Sequence, residues 1–562
     1  MADPAETYKR IFRRVTKMKK RGIAILLSLI MTSSVLAGCG SSSDETNKSV
    51  SSTSTGSASE VTAEAGELTL PLTDTTETIT VWMANDTTAM AKNGGDYNNN
   101  PYFKELEART NVHIDWQVPA AQTESEQFNL LFTSGNLPDL MYYSASSNIS
   151  YKDGLDAAVE DGYFLDLTDL LPKYAPHYLE ALSKAGENVQ KAAVTDEGRY
   201  VQIYTILQTS QPSFFGYVVR QDWLDECGLS TPETYDDWEN MLKTFKEKYG
   251  ATAPLSTVPT WLWNLGYGMG VYNITDFYQE DGKVKQTLLD EPEKVRQFLT
   301  LMNKWYNEGL IDPDFASETN FWGNSVLVSN NNTGVTCTMY TIPSALFLPS
   351  MNDDNASFSA LKYPVENKGD TLKAGYVVPD TTTSWVISAD CKNPELILKW
   401  IDYMYTEEGS LLANYGKEGE TFNMVDGKPV YTDVISNNAD GLSYDEAMRL
   451  YTYVPNWPGV SYDWERELQF VPEDDFQMCY VWDDFDHDAT YYPTYATLNL
   501  EETAEYSDIF SDLSTYIQEN LLSFITGSKS LDEYDEFLET VKGMNLSRVV
   551  ELKQSALDRF NK

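Results

Sequence analysis

The apolar and polar positions first fall into a readable order at Thr78 to Met83 (TITVWM), a short apolar run of the kind a buried strand presents. A loop rich in Asn and Gly follows, and then Asn100 and Pro101 stand as N-cap and first helical residue of a helix whose inner face is Phe103 and Leu106. Val112, Ile114 and Trp116 alternate as a second strand. Phe128, Leu131 and Phe132 predict a helix stopped by Gly135, and LPDLMYY, Leu137 to Tyr143, predicts a third strand. Strands alternating with helices imply an α/β fold with a mostly parallel sheet. In such sheets ligands lie outside the carboxyl ends of the strands, so Trp82 and Asn85, then Tyr142, Tyr143 and Ser144, share a rim and form a candidate half-site. Rings that merely cap a sheet give the same pattern.

Farther along, Thr234 caps a helix with Trp238, Leu242, Phe245 and Tyr249 on its inner face and Gly250 as its stop. Pro292 opens another, striped by Val295, Phe298, Leu299, Met302, Trp305 and Tyr306 and closed by Gly309. These stripes read as core. Val335 to Met339 and Ser384 to Ile387 read as strands, and Asn393 with Pro394 starts a helix carrying Ile397, Trp400, Ile401 and Met404. The last third has few periodic runs before a long helix from about Glu501 to Ile525.

The amino-terminal pattern is of another kind. Lys17, Lys19, Lys20 and Arg21 precede an apolar centre, Ile23 to Met31, and a small-residue exit, the layout of a secretory signal over 18–38. The apolar run falls short of the about 20 residues a transmembrane helix needs. Leu36-Ala37-Gly38-Cys39 is similar to a bacterial lipobox, which makes Cys39 the expected lipidated residue and the membrane contact one made through lipid alone. Residues 1–17 do not fit this pattern and read as an uncertain leader or a misassigned start. From 39 to 75 the chain is rich in Ser, Thr, Glu and Gly, a composition that reads as a tether, so the globule is expected to begin near Thr76.

Composition narrows the function. With 41 basic against 85 acidic residues the formal charge is −44, which argues against nucleic acid and against an unaided grip on anionic lipid. Thirty-six Tyr and 13 Trp suit a cleft that stacks on ligand rings, although core packing uses the same residues. Beyond Cys39 the cysteines Cys227, Cys337, Cys391 and Cys479 form no Cys-x-x-Cys pair and are expected mostly as free thiols. The histidines, His113, His177 and His487, suggest no ligand set.

GYVVRQDWLDECGLSTPETYDDWENMLKTFKEKYG (Gly216 to Gly250), LMNKWYNEGLIDPDF (Leu301 to Phe315) and SADCKNPELILKWIDYMYTEEG (Ser388 to Gly409) closely resemble bacterial extracellular solute-binding proteins of family 1, in particular the long lipoproteins that feed oligosaccharides to ABC importers. The resemblance spans nearly all of the chain after the tether. It implies a periplasmic-binding-protein-like fold, with two discontinuous α/β lobes joined by a hinge and ligand enclosed between them. Carried onto this chain, it gives one lobe from 76–205 with 340–383 and the other from 206–339 with 384–562. Crossovers then fall near Ile203 to Pro212, Val335 to Tyr340 and Thr381 to Ser384. Tyr340 and Trp385 would line the cleft, Trp261, Trp263 and Trp322 would sit on ligand-facing loops, and Trp457 and Trp464 lie in a further aromatic stretch. Arg220 would either fix a sugar hydroxyl or be structural. The implied partners are an oligosaccharide and the permease subunits of an ABC importer, with the protein a monomer at the outer face of the cytoplasmic membrane.

A surface glycoside hydrolase is the principal rival, since it too would be exported, acidic and aromatic. Hydrolysis needs two carboxyls at a set separation, which 85 acidic residues neither establish nor exclude. The sequence carries no GxSxG elbow, HExxH motif or P-loop, and GYGMG at Gly266 to Gly270 reads as a loop. A peptide-binding lipoprotein is the other alternative. Some relatives carry a calcium loop of DxDxDG type that this chain lacks, so neither a metal nor another cofactor is expected.

Overall fold

The computed structural model describes residues 68–562 apart from 145–146, 321, 379–380, 453–458 and 488. Ten strands build its two main sheets: β1 (Glu77–Trp82), β2 (Val112–Gln117), β3 (Leu140–Tyr143), β4 (Gln202–Leu207), β5 (Phe215–Arg220), β6 (Leu255–Ser256), β7 (Val335–Met339), β8 (Phe358–Leu361), β9 (Thr381–Ile387) and β10 (Ser461–Tyr462). The first sheet has the order β10-β4-β9-β3-β1-β2 and the second the order β8-β5-β7-β6. Each has helices against it and its own hydrophobic core, one centred on Val81, Met141, Ile203, Trp385 and Trp400, the other on Tyr217, Trp238, Phe298, Trp305 and Phe524.

Local chemistry places the helix ends where the pattern predicts them. Asn100 Oδ1 accepts from the Tyr102 amide at 2.8 Å and opens Pro101–Thr110. Thr234 and Asp237 form a capping box for Tyr235–Tyr249, which ends on Gly250 in the left-handed region. Pro292–Asn307 lies along the long helix Leu500–Thr526, and Asn303 Nδ2 donates to the Phe524 carbonyl at 2.8 Å. The closing helix, Leu546–Phe560, packs into the same core through Leu546, Val549 and Leu557.

The strands distribute between the sheets differently from the expected division. β7, read as a crossover, is an interior strand between β5 and β6, and β8 pairs with β5 in the second sheet. β9 runs between β3 and β4 in the first sheet, and the helix Pro394–Tyr403 packs on that lobe. The cause is non-local: hydrogen-bonded neighbours far away in sequence decide which sheet a short apolar run joins. The fold also starts before Thr76, since Leu68, Leu70 and Leu72 pack against the first core and the Leu72 amide donates to the Thr110 carbonyl at 3.0 Å.

Candidate functional site

Strand direction fixes where the lobes meet. In the first sheet β1, β3, β4 and β10 run parallel and β9 runs against its neighbours, so Trp82, Tyr143, Leu207, Tyr462 and Thr381 fall on one edge. In the second, β6, β7 and β8 point one way and β5 the other, which brings Met339, Leu361 and Phe215 to one edge. Residues 208–214 join β4 to β5, residues 362–380 join β8 to β9, and residues 463–472 lead from β10 to the helix Glu473–Trp482, which packs on β8 and β5. The first two crossovers therefore connect the same two edges, and the third leads from the first edge to a helix on the second sheet. The space between those edges lies outside the carboxyl ends of both sets of parallel strands, where α/β folds bind ligands.

Side chains stitch the crossovers together. Trp464 Nε1 donates to Thr209, at 3.1 Å to its carbonyl and 3.0 Å to Oγ1. The Ser213 amide donates to Asp483 Oδ1 at 2.8 Å, and Ser213 Oγ sits against both Asp483 Oδ1 and the Tyr376 carbonyl. Next to Tyr376, a Cβ at Gly375 would lie 2.5 Å from the Phe485 ring, so only glycine allows that approach.

The second edge is an aromatic surface. Phe215, the first residue of β5, packs against Trp261 at 5.8 Å, Trp322 at 5.5 Å and Tyr376 at 5.6 Å between ring centroids. Trp261 and Phe215 are buried, whereas Trp322 is 38 % exposed. A dense polar network holds the loop that presents it. Glu318 accepts from the Asn320 amide and from Asn324 Nδ2, both at 2.8 Å, and Thr338 Oγ1 donates to the Trp322 carbonyl at 2.8 Å. Gly323 has φ +92°, and a Cβ there would stand 2.8 Å from the Cys337 carbonyl. A large indole is thus left open on a loop fixed by the protein's own contacts.

The first edge is more polar. Asn85 Nδ2 donates to the Pro119 carbonyl at 3.0 Å, which leaves its enclosed Oδ1 without a partner. Asp86 caps the short helix Thr87–Lys92 through the Ala89 amide at 2.8 Å and pairs with Arg449, which also binds Asp445. At the first crossover, Gln208 Nε2 donates to Ser410 Oγ at 2.8 Å and to the Ser461 carbonyl at 3.1 Å.

The other sequence candidates are placed as follows. Trp82 is buried against Phe128, and Trp385 is fully buried with Tyr142 edge-on to it at 5.6 Å. Tyr143 packs against Phe128 and Phe164, and burial pushes its phenol up to about 12. Trp263 is core, and Tyr340 is buried against Phe476. Arg220 is structural: its guanidinium binds Asp222, Asn331 and Asp353 and lies over Trp223. Trp464 is buried at the hinge. Trp457 and Cys39 lie outside the described residues. Phe215 and Tyr376 were missed. The Phe214-Phe215 doublet just after Pro212 was the available signal for the first, and Tyr376 gave none. Among the described residues no cluster of His, Cys, Asp and Glu is arranged to hold a metal ion, and no helix is long and apolar enough to cross a membrane.

Two α/β lobes tied by three crossovers give the chain a two-lobe α/β fold. Residues 94–410 match the bacterial extracellular solute-binding protein family, and the chain belongs to it. Lipoprotein LipO of Bacillus subtilis (strain 168) is 25 % identical over 379 residues, covering 63 % of this chain and 69 % of its own. The fructooligosaccharide ABC transporter substrate-binding protein FusA of Streptococcus pneumoniae is 22 % identical over 83 % of this chain and 88 % of its own. Among solved structures, an HMO-binding, ABC-transporter-associated solute-binding protein from Bifidobacterium longum infantis superposes with a TM-score of 0.68 at 18 % identity, over 87 % of this chain and 100 % of its own. The alginate-binding protein AlgQ2 superposes with 0.63 at 22 % identity, over 87 % and 99 %. At these identities the structural likeness establishes the fold.

Proposed function

We propose that this chain captures a neutral oligosaccharide between its two lobes, without chemical change, and delivers it to an ABC importer. In this reading it is an exported protein held at the membrane through lipid on Cys39. The observation that carries the sugar assignment is Trp322, exposed on a rigid loop beside Phe215, Trp261 and Tyr376. A sugar ring offers one face of C–H groups to an indole and an edge of hydroxyls to polar neighbours, and holding it requires no covalent step.

Neutrality is favoured by charge. Arg449 beside the first edge is engaged by Asp86 and Asp445, Lys362 by Asp484 and Arg220 by Asp222 and Asp353, so a ligand carboxylate would have to compete for each cation. FusA, by name a fructooligosaccharide binder, and the HMO-binding protein support the sugar class. The polygalacturonan/rhamnogalacturonan-binding relative YtcQ and AlgQ2 supply the charged sugars to test against it.

A thermal-shift and calorimetric panel of neutral and uronic oligosaccharides tests this reading. A true ligand at a hundredfold excess over Kd stabilises the protein by about 2.7 kcal/mol, and the sugar should be recovered intact. Stabilisation by uronates alone would refute neutrality, and release of shorter sugars would convert the reading to a hydrolase.

A further inference from the structure

The lobes also touch outside the crossovers, and the contact includes an ion pair. Arg559, near the end of the helix Leu546–Phe560, is anchored to its own lobe: its guanidinium meets Glu502 through NH1 at 2.8 Å and NH2 at 2.6 Å, Ser555 Oγ at 2.9 Å and the Thr497 carbonyl at 3.0 Å. Its remaining donor, Nε, points to Asp196 of the other lobe at 2.8 Å. Asp196 is itself fixed in a tight turn, where the Thr195 amide donates to the Arg199 carbonyl at 2.9 Å and Thr195 Oγ1 donates to Asp156 at 2.7 Å. One turn away, Lys191 Nζ stands 5.5 Å from the centre of the Phe560 ring, and Tyr204 of β4 meets Tyr495 at 6.4 Å.

We propose that Asp196 and Arg559, flanked by Lys191 over Phe560, form an interlobe latch that holds the arrangement in which Trp322 stands open to ligand. Both ends are pre-organised by their own lobes, so the pair forms without ordering a loop. The pair lies outside all three crossovers, so a swing about them that parts Asp196 from Arg559 has to break it. A ligand that favours a different lobe arrangement must then outweigh the pair. With the Asp196 side chain 42 % exposed, the latch is of the exposed-pair kind, able to shift the ratio of lobe arrangements by about two- to fivefold and weakened by salt.

The inference rests on the hinged-binder reading, but its test uses no sugar, so a failure here leaves the ligand assignment standing. Spin labels carried on p-acetylphenylalanine at the exposed positions Lys184 and Lys542, one on each lobe, report the interlobe distance distribution in the full chain. Asp196→Asn is the variant of choice because Arg559 also supports its own lobe. The expected result is a second distance population rising about two- to fivefold in Asp196→Asn, and a similar rise in the wild type between about 0.05 and about 0.5 M salt that the variant lacks. A variant distribution matching the wild type, or a wild type indifferent to salt, overturns the latch.

Discussion

Replacing Trp322 by Ala is the most direct challenge to the cleft. A fully open Trp exposes about 250 Å², and 38 % of Trp322 is accessible, so a sugar laid on it covers roughly 90 Å². At about 25 cal/mol per Å² that is roughly 2 kcal/mol, or about thirtyfold in Kd. The rest of the ring is covered, in part by Phe215, so the substitution also removes some packing, while the loop itself is held by Glu318, Asn320, Asn324 and Thr338 rather than by the ring. Titration calorimetry of Trp322→Ala with a sugar that stabilises the wild type should therefore show the affinity loss in the folded protein, with a smaller fall in Tm than a fully buried tryptophan such as Trp305 gives when cut to Ala. Undiminished affinity would remove Trp322 from the site, and a large fall in Tm would mark it as a structural residue.

Trp305→Ala should behave in the opposite way, losing about 3–5 kcal/mol of stability in denaturant unfolding with the affinity of the folded fraction retained, because the ring is fully buried. Burial raises Asp475 from its ordinary 3.8 to about 6, with Ser344 bonding its carboxylate and one oxygen left without a partner. A raised folded-state value means the charged form is penalised above about pH 6 and the penalty is gone below 3.8; calorimetric scans should therefore find Asp475→Asn more stable than wild type at pH 8, by up to about 3 kcal/mol less the cost of a new buried amide, and the difference should close towards pH 4. Parallel pH curves for the two proteins would contradict that ionisation. Cys39→Ser should abolish membrane retention in fractionated cells and leave sugar affinity unchanged. Scattering with and without a binding sugar should show a smaller radius of gyration at saturation, and an unchanged radius would speak against closure.

What the sequence made legible was what neighbouring residues decide. Caps at Asn100, Thr234 and Asn393 and apolar stripes such as Val295 to Trp305 read correctly, because each depends on contacts a few residues apart, whereas the short helix Thr87–Lys92 falls in a stretch that reads as loop. Sheet membership did not read so well. VTCTM at Val335–Met339 has the apolar, β-branched character of any buried strand, and only its pairing with β5 and β6 makes it interior. The site followed the same division. Trp82, Tyr142 and Trp385 lie at or near the expected edge of the first sheet, but Phe128 and neighbouring rings bury them, which a one-dimensional pattern cannot distinguish from facing a ligand. Arg220 is bound by Asp353, far along the chain, a partner that no local motif announces.

The distribution of chemistry between the two edges bears on how capture proceeds. The ring surface of Phe215, Trp261 and Trp322 belongs to the second lobe, with Tyr376 added from a crossover, and Trp322 is accessible before any movement. The first edge contributes polar groups, among them Asn85 and Gln208, that are largely committed to the protein itself. On the proposed reading, a sugar gains apolar contact on the second lobe at once, while contact with both edges depends on the crossovers. Those crossovers are not slack: Trp464 on Thr209 and Ser213 against Asp483 and Tyr376 bind them to one another. Motion confined to such a braced hinge moves two rigid cores as bodies. Free energy gained by bridging the edges then acts on one collective coordinate, the lobe angle, whose present value the Asp196 and Arg559 pair holds.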